Sequence, residues 1–212
     1  MNTETGGAIS LAVPKGRLMD HITALLEKNG IKIAVEDRKL TATDKDKTLK
    51  IFFVKNSDLP TYVNFGIAGL GICGDDVIYE SSYHFYRLYS FPFGSTRMCL
   101  AGRKDAPDAE EARHMTIATK FPRFATHYYH SLGIPVRIIK LNGSVELAPV
   151  LGLAPYIVDL VETGETLKAN NLEIMEVLKK IGVHLIANPA YYKLHYKRID
   201  KIVDMLKEGE NT

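Results

Sequence analysis

The chain has 212 residues, 46% hydrophobic and 25% charged, which allows one large domain or two small ones with a substantial core. Its 27 basic and 25 acidic side chains leave a net charge of +2, and the basic residues are scattered, so no field for nucleic acid or a membrane surface is set up. Cys73 and Cys99 are too few and too isolated for a disulfide framework or a zinc site, no run of about 18 apolar residues exists, and the polar stretch from Met1 to Gly7 is unlike a signal peptide; the expectation is a cytoplasmic protein.

Ile9 to Val13 reads as a short buried strand. Pro14-Lys15-Gly16-Arg17 follows as a turn with two cations, and Leu18, Ile22, Leu25 and Leu26 recur at helical spacing until Asn29-Gly30. Strand, basic glycine turn, helix is an anion-binding arrangement with Lys15 and Arg17 at its mouth; the same residues also make a solvated turn whose charges do nothing. Ile31 to Val35, Lys39 to Ala42 and Leu49 to Val54 read as strands, with Asp44 to Lys47 as a hairpin turn. Asp58 is an N-cap candidate for a short helix to about Asn64. Gly66 to Cys73 is apolar and glycine-rich, suiting either a strand whose end a ligand approaches or a tightly packed strand. A helix then starts at about Val77. Tyr83 to Tyr89, with Phe91 and Phe93, lacks interleaved basic clusters and reads as core or interface.

Arg97 to Ala101 is a predicted strand within the segment 90–105, the candidate crossing between two lobes. Gly102 to Ala112 is a surface loop or short helix. Met115 to Thr119 and Val136 to Leu141 are strands flanking a helix opened by Pro122, and Asn142-Gly143-Ser144 leads into a short helix containing Glu146. Strands alternating with helices argue for a mostly parallel sheet with ligands at the C-terminal strand ends. Lys120, Ser144 and Glu146 follow such ends. Leu172 to Lys180 is a candidate return crossing, Val183 to Ala187 is apolar, and a final helix runs from Pro189 to about Glu208. His184 and His195 have no partner acid at suggestive spacing and are expected to be structural or exposed.

The organising stretch is Ile157 to Leu167. An apolar β-branched run ends in Glu162-Thr163-Gly164-Glu165-Thr166, and a helix start follows at Leu167 to Asn170. Free N–H groups and the dipole at a helix start favour an anion. Gly164 admits close backbone approach, and Thr163 and Thr166 add hydroxyl donors. Asp159 and Glu162 would repel a phosphate, so they point to something beside it, such as sugar hydroxyls or hydrated Mg²⁺. That chemistry suits a phosphorylated ribose. An ordinary strand end with a Thr/Gly turn is the alternative.

Several blocks together resemble the ATP phosphoribosyltransferase family in its short form. They are Leu11 to Leu18, Asp58 to Val63, Gly71 to Val77, Ala118 to Pro122, Leu141 to Pro149, Asp159 to Leu172 and Leu185 to Asn188, in unbroken order from about residue 9 to 207. The resemblance implies an α/β, two-lobed periplasmic-binding-protein-like fold with a double crossover between lobes and a central active-site cleft. Lobe I would be residues 1–95 plus 181–212, and lobe II residues 96–180. It implies a transferase of histidine biosynthesis: N1 of ATP attacks C1 of phosphoribosyl-pyrophosphate, with Mg²⁺ carried by the substrate rather than by protein side chains alone. Thr163, Gly164, Glu165 (through its N–H) and Thr166 would hold the 5-phosphate, and Asp159 and Glu162 would face the ribose. Lys15, Arg17, Arg38 and Lys55 would neutralise triphosphate or departing pyrophosphate. Gly71, Gly74, Asp76, Lys120, Ser144 and Glu146 would be further cleft residues.

Four positions depart from the family pattern. Lys55 stands where an Arg is usual and loses the bidentate fork. Gly69, Asp75 and Pro155 replace a usual Asp, Lys and Asp, and Asp75 reverses a charge near the expected cleft. The chain ends soon after its last helix, so the resemblance implies a homodimer and a hetero-octamer with a regulatory subunit resembling histidyl-tRNA synthetase. A solute-binding protein of the same fold and a catalytically impaired regulatory paralogue are the rival readings.

Overall fold

The structure, a computed structural model, describes residues 7–33, 39–106 and 115–210. The chain divides into two compact units, Met1–Gly94 with Gly182–Thr212, and Ser95–Ile181. Two long strands, β5 (Tyr86–Arg103) and β9 (Leu172–Ala187), begin in one unit and end in the other.

In the first unit, β1 (Ile9–Pro14) lies between β3 (Leu49–Val54) and β4 (Leu70–Gly74), parallel to both. β2 (Thr41–Thr43) pairs antiparallel with β3, and β9 antiparallel with β4. β4 is buried along its whole length, as a strand covered on both faces must be. One face packs α1 (Arg17–Lys28) through Leu18, Ile22, Leu25 and Leu26, and α7 (Pro189–Glu210) through Ile199, Val203 and Leu206. The other packs Leu59 and Val63 of α2 (Leu59–Asn64) and Val77 and Ile78 of α3 (Asp75–Ser81). The aromatic stretch is core here: Phe91 packs at 5.1 Å from Tyr89 and 5.0 Å from Phe93.

Asn188 joins three elements. Its Oδ1 accepts the N–H groups of Ala190 and Tyr191, capping α7, and its Nδ2 donates to the Val63 and Asn64 carbonyls at the end of α2. Tyr191 then lies over Gly69. A Cβ at residue 69 would overlap the tyrosine ring, which fills the space a side chain there would need.

The second unit has strand order β5-β8-β6-β7. β6 (Met115–Thr119) lies parallel between β7 (Val136–Lys140) and β8 (Tyr156–Val161), and β5 closes the set antiparallel to β8. α4 (Pro122–Ser131), α5 (Leu147–Val150) and α6 (Glu165–Ala169) complete the unit. Ala118, Val145, Ala148, Ile157, Val161 and Leu167 share one core.

The structure differs from expectation at several boundaries. Residues 31–33 form no strand, and residues 34–38 lie outside the described set. β4 starts at Leu70, because Gly66, with φ 71°, turns the chain first. Glu146 is the N-cap of α5 rather than a member of it. α6 starts two residues earlier than expected, since Gly164 already sets the turn. Leu172–Lys180 and Val183–Ala187 are one continuous strand. No helix among the described residues is long and apolar enough to cross a membrane.

Candidate functional site

The phosphate-loop candidates occupy the C-terminal end of β8. Register fixes this end on both sides: Thr119 pairs with Val158, and Arg97 with Val161. Thr119 Oγ1 donates to the Val158 carbonyl at 2.6 Å and accepts Phe121 N–H at 2.9 Å, while Thr96 Oγ1 donates to the Val161 carbonyl at 3.1 Å. Asp159 is thus one step past the Thr119 rung, level with Lys120. Beyond Val161 the turn is exposed at Glu162, Thr163, Glu165 and Thr166. Gly164 is the N-cap of α6 at φ 82°, ψ 7°. An added Cβ there would approach only Val161, at 3.8 Å, so the glycine is needed for its left-handed backbone rather than for clearance. Thr163 Oγ1 accepts Glu165 N–H at 3.4 Å, and Asn170 Nδ2 donates to the Thr166 carbonyl at 2.9 Å, tying the end of the short helix to its beginning. Ser144, at φ 47°, is exposed after β7, and Glu146 is half-buried beside it.

The cations of the first unit gather by strand pairing. Pro14 and Val54 are register partners at the ends of parallel β1 and β3, and Lys15 N–H donates to the Val54 carbonyl at 2.8 Å. Lys15 and Lys55, forty residues apart in sequence, therefore leave the sheet side by side, both exposed. Gly16, at φ 99°, opens α1, and the Arg17 guanidinium that follows donates to the Gly94 carbonyl at 3.1 Å. Arg38 lies outside the described residues. Gly74 is the N-cap of α3, and Asp76 in its first turn is buried. Gly71 sits inside β4 opposite Ala12, where a Cβ would come within 2.7 Å of Leu59 and 2.8 Å of Val63; its missing side chain makes room for α2.

Asp75 does not stand as a bare negative charge. Its Oδ1 pairs with Arg87 at 2.7 Å, and its Oδ2 accepts Gly182 N–H at 3.0 Å. His184 Nε2 lies 3.1 Å from Oδ2. Burial pushes the Asp75 carboxyl up, but His184, Gly182 N–H and Arg87 together outweigh it and hold the group below the usual carboxylate value.

Thr96, Thr119 and Arg97 are roles that sequence reasoning missed. Arg97 reaches the Glu162 carbonyl at 3.5 Å, at the limit of a hydrogen bond, and brings a cation to the mouth of the turn. Nothing in local spacing marks them, since each acts across the sheet. A cavity of about 400 Å³ lined by Arg103, Lys104, Asp105, Val150, Asn170 and Asn171 lies at the C-terminal end of α6, away from the Thr/Gly turn. Among the described residues no group of three or more His, Cys, Asp or Glu side chains could hold a metal ion.

Two α/β units, each with a positive-φ glycine and a helix start after the C-terminal end of an interior strand, define the class of mixed α/β proteins whose strand ends open into helices. A sequence model of the family described as ATP phosphoribosyltransferase matches residues 55–208. The ATP phosphoribosyltransferase of Thermoanaerobacter sp. (strain X514) is 44% identical over 207 residues, covering 96% of this chain and 97% of its own. The ATP phosphoribosyl transferase (HisG:HisZ) complex from Thermotoga maritima superposes with a TM-score of 0.81 at 39% identity, over 94% of this chain and 96% of the matched one. The periplasmic aliphatic sulphonate binding protein SsuA of Escherichia coli gives 0.63 at 12% identity over 97% and 73% of the chains, a likeness of fold alone. The chain belongs to the ATP phosphoribosyltransferase family.

Proposed function

We propose that the end of β8 is the phosphoribosyl-pyrophosphate site of this transferase. The activity is the family's: pentosyl transfer from phosphoribosyl-pyrophosphate to ATP, the first step of histidine biosynthesis. Adenine N1 forms the new bond to ribose C1, and the C1–O bond breaks with its electron pair leaving on pyrophosphate. No side chain need be a nucleophile; the protein supplies position and charge. The N–H groups of Gly164, Glu165 and Thr166, with the hydroxyls of Thr163 and Thr166, take the 5-phosphate. Asp159 and Glu162 accept from the ribose hydroxyls. Lys15, Arg17, Arg38 and Lys55 answer the triphosphate and the departing pyrophosphate, and Lys120, Ser144, Glu146, Gly74 and Asp76 complete the surroundings.

One observation carries this reading. The exposed Thr163–Thr166 turn, with Gly164 at φ 82°, follows a strand end fixed by Thr96 and Thr119. Mg²⁺ fits as a substrate-borne ion: Asp159 and Glu162 are fewer ligands than a protein cage needs, and Mg²⁺ binds through phosphates, waters and one or two carboxylates. When bound it neutralises charge on the leaving pyrophosphate.

We propose that this chain, similar to the HisG:HisZ complex of Thermotoga maritima, forms a homodimer alone and a hetero-octamer with a histidyl-tRNA-synthetase-like regulatory subunit, in the cytoplasm. Light scattering tests it, and a monomer under all conditions, with partner present, would overturn it. The activity is tested with purified chain, ATP, phosphoribosyl-pyrophosphate, Mg²⁺ and pyrophosphatase. Phosphoribosyl-ATP is the expected product. Substrate binding without turnover, even with the regulatory subunit added, would return the impaired paralogue. The charge reversal at Asp75 does not favour that rival, because Arg87 takes up the charge.

A further inference from the structure

β9 re-enters the first unit at Gly182, and its ladder with β4 begins one residue later, at Gly74↔Val183. Gly182 is therefore beyond the last rung, and its N–H is taken by a side chain, Asp75 Oδ2, at 3.0 Å. The other oxygen of the same carboxylate accepts from Arg87 on β5 at 2.7 Å. Between them, His184 Nε2 lies 3.1 Å from Oδ2, and His184 Nδ1 lies 2.9 Å from Ser90 Oγ, again on β5. One carboxylate at the head of α3 thus ties β9, at the residue where it enters the unit, to the beginning of β5 at Arg87. The Asp75 side chain is only 15% exposed, so water screens its Gly182 contact weakly, whereas the half-exposed Arg87 is screened more. Gly182 suits the place: a Cβ would sit 3.3 Å from His184 Nε2 and 3.5 Å from Asp75 Oδ2. A lysine here has donors and no acceptor and could not receive the Gly182 N–H.

We propose that Asp75 is a positioning residue for the transfer reaction, acting through Gly182 to hold β9 where it enters the first unit and through Arg87 to tie it to the start of β5. It touches no substrate. Loosening it leaves the binding groups of each unit intact but slows arrival at the reacting arrangement, so it acts on kcat and not on KM. The proposal rests on the transferase activity only for this kinetic readout.

The test combines amide exchange at Gly182 with steady-state kinetics of the full chain. In Asp75→Ala the Gly182 amide should exchange about tenfold faster, while β1 and β3 amides keep their protection. Its kcat should fall about fivefold or more, with KM for ATP and for phosphoribosyl-pyrophosphate within about twofold of the parent. Asp75→Asn, which keeps the size and one acceptor, should rescue part of the loss. The double variant Asp75→Ala/Arg87→Ala should be no slower than Asp75→Ala, since both act on one path. Unchanged kcat in a folded Asp75→Ala overturns the proposal, and so does a loss carried wholly by KM. Should Asp75→Ala fail to fold, Asp75→Asn and Arg87→Gln decide in the same way. An inactive parent would instead count against the transferase reading, leaving the exchange measurement to judge the clamp.

Discussion

Each unit opens a helix on a positive-φ glycine, Gly16 at φ 99° and Gly164 at φ 82°, yet the two turns are chemically opposite. The turn of the first unit is built from charge: Lys15 and Arg17 flank the glycine, and strand register adds Lys55. Its helix, α1, has 12 residues. The turn of the second unit has hydroxyls, backbone N–H groups and two carboxylates, and its helix has five residues, too few for much dipole. Charge attracts any polyanion from a distance and discriminates little. Fixed short-range donors beside acceptors select one shape, a phosphate attached to a sugar. On the proposed reading, the first turn would collect triphosphate and pyrophosphate, and the second would read phosphoribose.

That contrast breaks most visibly with crossed substrates. Asp159→Ala and Thr166→Ala should each raise KM for phosphoribosyl-pyrophosphate by about tenfold or more and leave KM for ATP nearly unchanged, since a hydrogen bond to a charged group contributes about 1.5–3 kcal/mol. Unchanged kinetics in both would remove the second turn from the site. Gly164→Ala comes next. It forces an L side chain into a left-handed conformation at a cost of about 1–2 kcal/mol, and thermal shift with and without phosphoribosyl-pyrophosphate should show lost ligand stabilisation beyond the lowered Tm. Lys55→Arg restores a bidentate fork to the collecting turn and should lower the half-saturating pyrophosphate concentration in the reverse reaction by about two- to fivefold. Equal affinity would show that Lys55 does not meet pyrophosphate.

The smallest effect is in acid. Asp75 titrates below its ordinary value in the fold, so the stability it contributes is complete above the unfolded value and is lost as pH falls through the folded one. Thermal melts should therefore fall more steeply below about pH 4 for the parent than for Asp75→Asn. Parallel curves would show that the clamp adds nothing to stability.

The two turns were legible in the sequence for one reason: each is contiguous. An apolar run, a glycine among polar residues and a helical period lie within about twenty residues and fix one another. What joined them was not legible. Lys15 and Lys55 meet because Pro14 pairs with Val54, a long-range choice of register that no local pattern announces. Thr96 and Thr119 read as ordinary β-branched strand residues, and only their bonds to the Val161 and Val158 carbonyls give them a role. The charge of Asp75 was visible, but its partners lie 12 and 107 residues away. The glycines of this stretch suit either a ligand's approach or tight strand packing, and at Gly71 the nearness of Leu59 and Val63 favours packing. The helix at Glu165 was displaced in the reading because five residues are too few to show a period.

Gly69 and Tyr191 carry a consequence for how such a chain can change. Tyr191 occupies the volume that any side chain at 69 would need, and its hydroxyl accepts Ser10 N–H at 3.3 Å, while Ser10 Oγ in turn accepts Gly69 N–H at 2.8 Å. A side chain at position 69 therefore needs the ring to move, and a smaller residue at 191 would leave a gap beside a buried strand, so the two positions are free to change only together.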